Sequence, residues 1–379
     1  MKIGIEGQRL FRIKKHGMDM VALELIRNLQ EIDKENEYFI FVKPDADSAC
    51  LKKTENFHII ELGGGPYPTW EQFSLPRAAK KYGCDVLHCT SNTAPIKTNI
   101  PLVVTLHDII YLESISLLKK GGTWYQKMGN MYRRFVVPKV VKKASRIITV
   151  SHFEKNRIRD FFGFAPNDNR LVAIYNGVGE HFKPIQDPVE LQRIKTRYSL
   201  PDNYAFFLGN TDPKKNTKGV LKAFSDYLKT DNPPLELVML DYEKNALEAL
   251  LAEIGDKNLI KHIHLTGYVV NTDLPAIYSL SKLFLYPSLR ESFGIPMLEA
   301  MKCGTPVITS DTSSMPEVSG NAALIIDPYK PDEITNAMIR LMQDEKLRNE
   351  LIKKGFMQAS HFSWKIMAQE VLNLYREIS

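Results

Sequence analysis

The sequence predicts an α/β protein built from two doubly wound, Rossmann-like domains that face one another. Three observations support this. Strand-length apolar runs alternate with amphipathic helical stretches along almost the whole chain. These units fall into two series separated by a Pro-, Asn-, Asp- and Gly-rich join near 165–185. At 379 residues the chain is also too long for one ordinary hydrophobic core. Strands alternating with helices imply parallel sheets covered on both faces.

The first series reads "KIGIE" (2–6), "YFIFVK" (38–43), "FHIIEL" (57–62), "DVLHC" (85–89), "LVVTLH" (102–107) and "RIITV" (146–150) as strands. Helical stretches such as "MDMVALELIRNLQEI" lie between them, with apolar residues at helical spacing. Ser151 follows the last strand, in position to cap "HFEKNRIRDFF". The second series reads "YAFFLG" (204–209), "LELVML" (235–240), "KHIHLTG" (261–267), "LFLYPS" (283–288) and "PVITS" (306–310). The domains are accordingly placed at 1–170 and 171–361. The last amphipathic helix, 362–379, either caps the second domain or crosses back to the first.

Composition narrows the class. Hydrophobic residues make up 44% and charged residues 25%, typical of a soluble globular protein. No apolar run approaches the roughly 18 residues of a membrane helix. The start "MKIGIEGQRL" reads as a strand rather than a signal peptide. Four cysteines (Cys50, Cys84, Cys89 and Cys303) form no CxxC pair, so a reduced, cytoplasmic protein is expected. The net charge of +6 is uneven: residues 114–153 hold nine Lys or Arg and no acid, leaving the rest net negative by three. That block reads either as a solvated helix face or as a surface for anionic lipid or a phosphate-bearing acceptor. Nucleic acid is not an expected partner.

Ligands of doubly wound domains bind beyond the carboxyl ends of strands, and the most informative segment, "RESFGIPMLEAMKCGTP", follows one. Gly294 precedes a helix start, Pro296 suits its first turn and Gly304 its stop. Glu291 is then in a loop and Glu299 inside the helix. Eight positions cover at least ~12 Å along the chain, whereas the carboxylates of a glycosidase lie ~5–10 Å apart across one bond. Two parts of one extended ligand fit this spacing better. The amides around Phe293, Gly294 and Ile295 lie between the glutamates at the positive end of the helix, where a phosphate binds. A sugar, a diphosphate and a ribose in a row match the layout. By spacing alone, an exposed helical glutamate and a loop glutamate remain the alternative.

The segment resembles the Glu-x7-Glu signature of glycosyltransferase family 4, the group 1 retaining enzymes of the GT-B fold. The likeness continues through "PVITSDTSSMPEVSGNAALIIDP"; "LGNTDPKKN" resembles the family's phosphate loop, "YNGV" its second-domain entry and "LHD" (106–108) its His-bearing loop. The resemblance implies a C-terminal helix that crosses back to the first domain. It further implies that Glu291 and the amides of Phe293 and Gly294 hold the donor sugar, Glu299 the ribose and Lys215 the diphosphate. His107 is placed near the donor sugar, Gly17 against the donor phosphates, and Tyr268 and Val269 beside the nucleobase. Asn210 stands where many members carry a basic residue, with Lys214 replacing some of that charge, and His16-Gly17-Met18 replaces a glycine pair.

The implied activity is retaining transfer of a hexose-type sugar from a nucleoside-diphosphate sugar to an acceptor hydroxyl, without metal or cofactor. It points to cell-surface polysaccharide or lipopolysaccharide assembly, with GDP-mannose as the first donor expected. The acceptor would be a glycan or a lipid-linked sugar, and a peripheral contact with an anionic membrane would fit. Three rival readings stand beside it. A metal-dependent transferase would use Asp45 and Asp47, which lie in an apparent surface loop. A dinucleotide oxidoreductase needs G-x-G-x-x-G, which "GIEGQRL" does not complete. A catalytically inactive sugar-nucleotide-binding or scaffold subunit of the same fold would keep the site without turnover.

Overall fold

The computed structural model describes residues 1–15, 17–113, 124–240 and 242–378, and of residues 124–127 the backbone only. The chain divides into two units, residues 1–177 with 364–379, and residues 178–363.

The first unit is built on a seven-stranded parallel sheet. Its strands are β1 (Lys2–Glu6), β2 (Glu37–Val42), β3 (Phe57–Glu61), β4 (Val86–Cys89), β5 (Leu102–Thr105), β6 (Arg146–Thr149) and β7 (Leu171–Ala173), ordered β3-β2-β1-β4-β5-β6-β7. The second unit holds β8 (Tyr204–Phe207), β9 (Glu236–Met239), β10 (Ile263–Leu265), β11 (Leu283–Tyr286), β12 (Val307–Ser310) and β13 (Ala323–Ile326), ordered β10-β9-β8-β11-β12-β13 and also parallel. In both sheets the order reverses beside the unit's first strand, between β1 and β4 and between β8 and β11. Such reversals open the crevice where ligands bind.

The expected α/β class and the alternation of strands with helices hold. Central strands such as "YAFF" are buried at every position, which is why they read as unbroken apolar runs rather than alternating ones. Local punctuation behaves as the sequence indicates. Ser151 Oγ accepts the Glu154 N–H at 3.1 Å and caps the helix His152–Phe162, which stops at Gly163 with φ +68°.

Two strands are additions to those read from the sequence, and both are sheet edges. β7 lies inside the presumed join and pairs with β6, so the division between units falls after Gly177 rather than at 170. β13 pairs with β12 and alternates only weakly in burial.

The last helix, Trp364–Arg376, belongs to the first unit and packs on the helix Gly17–Ile32, with Ala368, Val371, Leu372 and Tyr375 among its buried residues. Its anchor is polar. The Tyr375 hydroxyl lies 2.6 Å from His88 Nδ1, and His88 Nε2 lies 2.8 Å from Thr105 Oγ1. Burial pushes the His88 imidazole down to about 3, so the ring is neutral and offers one donor and one acceptor to these hydroxyls. The other reading of this helix, as a cap on the second domain, is thereby replaced.

Candidate functional site

In the second unit, the loops after β8 and β11 meet at the strand-order reversal. After β8 the chain makes a single 3-10 turn, Pro213–Lys215, with the Asp212 carboxylate accepting the Lys214 N–H at 3.1 Å. Asn216 then takes a left-handed conformation (φ +58°), and its side-chain amide donates to the carbonyls of Pro287 (3.1 Å) and Pro328 (2.7 Å). The Leu289 N–H donates to the Lys214 carbonyl at 2.7 Å. These bonds stitch the two loops together and aim Lys215 across the gap.

Lys215 Nζ lies 2.6 Å from Glu291 Oε1 and 3.4 Å from the hydroxyl of Tyr286, the last residue of β11. Both charged side chains are largely buried. Burial, and then the Glu291 charge beside it, holds the Tyr286 phenol far above its ordinary range, so it stays a neutral hydroxyl. The Glu291 loop is pinned from behind: its N–H donates to Ser313 Oγ at 3.2 Å, and Ser314 Oγ donates to the carbonyls of Glu291 (3.1 Å) and Phe293 (3.0 Å).

Gly294 has φ +100°, so the backbone favours glycine; a Cβ there would meet only the movable end of Met297, Cε at 2.8 Å. The helix Ile295–Lys302 starts immediately after it, with Pro296 in the first turn. Pro296 brings no N–H and the Met297 N–H donates to the Gly294 carbonyl at 3.1 Å, so the Ile295 amide and the turn before it stand at the positive end of the dipole. Phe293 is buried edge-to-face against Phe362 (5.7 Å) and fixes the approach to the turn.

Glu299 lies further along this helix, partly buried, with the Tyr278 hydroxyl donating to Oε2 at 3.0 Å. Burial pushes its carboxyl up to about 7, and the Tyr278 hydrogen bond offsets only part of this. At neutral pH the group is thus close to half ionised. A ligand that donates hydrogen bonds would favour the charged form.

The remaining sequence-identified residues divide in their environment. Asn210 is exposed, and its Oδ1 accepts the Asp212 N–H at 2.9 Å, so this oxygen shapes the loop. Lys214 is partly buried, 3.9 Å from the Asp212 carboxylate. Tyr268 is exposed and Val269 buried, just past β10 and the left-handed Gly267. His107 and Gly17 belong to the first unit. His107 lies two residues past β5, its N–H donating to Asn92 Oδ1 (2.6 Å) and its Nε2 to the Thr90 carbonyl (3.0 Å). Burial lowers its pKa, so Nδ1 of a neutral ring is left as an acceptor. Gly17 opens the helix Gly17–Ile32, and a Cβ there would meet nothing within 4 Å, so no local crowding requires the glycine. Its neighbour His16 lies outside the described residues.

Sequence reasoning missed Tyr286, Tyr278, Asn216 and the serines 313 and 314, which hold the others in place. Tyr286 carried a signal as the polar end of the apolar strand "LFLY", and Asn216 as the last residue of the "LGNTDPKKN" loop. The rival Asp45-Ala46-Asp47 is also located: Asp47 is ion-paired with Lys15, and Asp45 accepts the N–H of Ala46 at 2.8 Å. Among the described residues no group of three or more His, Cys, Asp or Glu side chains is gathered as a metal site.

Comparison with known proteins bears directly on this geometry. Residues 16–181 match the family described as Glycosyltransferase Family 4, and residues 189–358 that described as Glycosyl transferases group 1. O-antigen chain mannosyltransferase B of Escherichia coli is 33% identical over 278 residues, 72% of this chain and 70% of that protein. The serotype-specific mannosyltransferase WbdA of the same organism is 31% identical over 287 residues, 73% of this chain but 34% of that longer protein. Among solved structures, Anabaena HepE in complex with UDP and glucose superposes with a TM-score of 0.73 at 16% identity, covering 99% of both chains, which establishes likeness of fold. The two parallel sheets, the site at the β8–β11 reversal and these matches together place the chain in the group 1 glycosyl transferases, glycosyltransferase family 4, with the GT-B fold.

Proposed function

We propose that the protein is a retaining, metal-independent hexosyltransferase that draws a sugar from a nucleoside-diphosphate donor, GDP-mannose first among them. It would pass the sugar to a glycan or lipid-linked acceptor in cell-surface polysaccharide assembly. The observation that carries this reading is the Lys215–Glu291–Tyr286 constellation beside the N-terminus of the Ile295–Lys302 helix. The mannosyltransferases of O-antigen assembly among its relatives favour the donor sugar and the setting.

In this reading the ion pair is a resting state. An arriving diphosphate draws Lys215 away from Glu291 and takes the amides at the turn into the helix, Gly294 and Ile295, as further donors. Glu291, released, accepts hydrogen bonds from the donor-sugar hydroxyls, with Tyr286 fixing the separation of the two groups. Glu299 accepts the two ribose hydroxyls, and Tyr268 and Val269 flank the base.

The C1–O bond to the diphosphate breaks with its electron pair remaining on phosphate oxygen. The acceptor oxygen then bonds to C1 from the same face, and its proton passes to that phosphate oxygen. Lys215 and the helix amides are most valuable here, because charge grows on the leaving group as the bond breaks.

Melting the protein against a panel of nucleotide sugars identifies the donor by stabilisation, and NMR of the product reads the anomer. GDP-mannose should stabilise most, and an α-linked donor should give an α-linked product. An inverted anomeric centre rejects the mechanism; donor binding without turnover on any acceptor supports a binding or scaffold subunit instead.

A further inference from the structure

The basic block of the first unit is not the uniform charged surface that its composition suggests. Residues 114–123 and the side chains of 124–127, including Trp124, Tyr125 and Lys127, lie outside the described residues. Arg133 folds back, its Nη1 donating to Asn130 Oδ1 at 3.1 Å and its guanidinium 5.6 Å from the Tyr111 ring. Arg146 pairs with Glu377 at 3.6 Å, and Lys143 Nζ donates to the Ile96 carbonyl at 3.1 Å. Lys139 and Lys142 stand on the exposed side of the helix Trp124–Lys143.

That same side carries large apolar groups. Met128 is 49% exposed, Met131 62% and Phe135 60%. The spacing 128, 131, 135, 139, 142 keeps all five residues on one helix face. The opposite face, with Val136, Val137, Val140 and Val141, is buried in the core. A surface helix ordinarily turns polar residues outward; this one is apolar on both sides. Pro138 separates the outer apolar half from the cationic half, and Lys139 Nζ sits 3.2 Å from the Phe135 ring centroid. At the cationic end Lys142 borders a cavity of about 230 Å³ that Phe162, Phe164 and the ion-paired Asp168 and Arg170 also line.

We propose that the outer face of the Trp124–Lys143 helix docks on an anionic lipid surface. Met128, Met131 and Phe135 enter the headgroup–acyl boundary, and Lys139 and Lys142 meet the lipid phosphates. Charge complementarity selects this occupant. The described outer face carries Lys139 and Lys142 and the helix holds no carboxylate, so the face complements an anionic partner, and the apolar stripe asks for a partner that is also apolar at depth. A second copy of the same face would bring cation against cation. The proposal rests on exposure and charge in the first unit and is independent of the donor's identity.

The test is co-sedimentation of the full chain with phosphatidylglycerol-rich vesicles and, separately, phosphatidylcholine vesicles, over a salt series. The parent should bind the anionic vesicles and lose affinity as salt rises. Lys139→Ser with Lys142→Ser should lower partitioning about fivefold per cation at low salt. Met128→Ser, Met131→Ser and Phe135→Ser together should lower it by at least about tenfold at every salt concentration. All five side chains are exposed, so both variants should melt with the parent and keep donor hydrolysis; if one melts lower, Met131→Ser and Lys142→Ser alone replace it. A parent that does not bind, or variants that bind as the parent does, overturns the proposal. Self-association of the parent that the same substitutions abolish assigns the face to a second copy and overturns it equally. Vesicle binding without any transferase activity would leave this inference standing and reject the proposed function.

Discussion

Glu299→Gln should stabilise the protein while weakening its hold on the donor. Burial raises the Glu299 carboxyl from 4.5 to about 7 in the folded chain. The folded state therefore binds more protons than the unfolded state between those values, and stability falls as pH rises through that window. Below about pH 4.5 no penalty applies, and above about pH 7 the full penalty remains. At 1.36 kcal/mol per pH unit the shift corresponds to at most about 3 kcal/mol. Glutamine keeps an acceptor for the Tyr278 hydroxyl and carries no charge, so the variant should be more stable at pH 8 by about 1–3 kcal/mol. It should also lose the pH dependence between 4.5 and 7. Ribose hydroxyls that donate to the carboxylate favour its ionised form, so parent donor affinity should rise with pH up to about 7 and then level. Loss of that charge-assisted contact should cost about 1.5–3 kcal/mol of binding. Urea titrations at pH 5 and pH 8, with calorimetric donor binding at the same pH values, measure both effects. Calorimetry in buffers of different ionisation enthalpy should also show proton release on binding near pH 6. A variant that is less stable than the parent at pH 8, or binds donor as well, would refute the assignment of a buried, ligand-facing carboxylate.

Lys215→Ala should lower turnover by about 10²–10³-fold, the usual loss for one preorganised donor to a developing anion. It should also destabilise the chain by about 1–3 kcal/mol, because Glu291 is left largely buried without its cation. Parent-like turnover with only the stability loss would make the pair structural. Activity should survive EDTA, since the phosphate site proposed here uses a lysine and helix amides, and Asp47 is already paired with Lys15; abolition by EDTA with recovery in Mn²⁺ or Mg²⁺ would reverse that reading. Tyr375→Phe removes one partner of the buried His88 ring and should cost about 1–3 kcal/mol in denaturant. Truncation before Trp364 should lower the melting temperature far more, and an unchanged melt would show the last helix to be dispensable.

What the sequence determines by itself is everything that local physics encodes. Buried parallel strands are short apolar runs, so eleven of the strands could be read directly, and the glycine–proline punctuation around Ile295–Lys302 reappears as a left-handed Gly294 and a capped helix. The spacing of Glu291 and Glu299 survives as a loop residue and a helix residue for the same reason. Edge strands β7 and β13 escape because each is an apolar run of only three or four residues, which by itself does not distinguish a strand from a loop or helix. Tertiary structure alone decides which distant groups meet. Lys215 and Glu291 are 76 residues apart, and only the β8–β11 neighbourhood in the sheet brings them to 2.6 Å. The elevated Glu299 carboxyl depends on burial, which no linear spacing reports. The basic block makes the same point, since helical phase and packing turn Arg133 inward and leave Met128, Met131 and Phe135 outside. Composition registers the charges of a segment, but their direction is set by the core against which the helix packs.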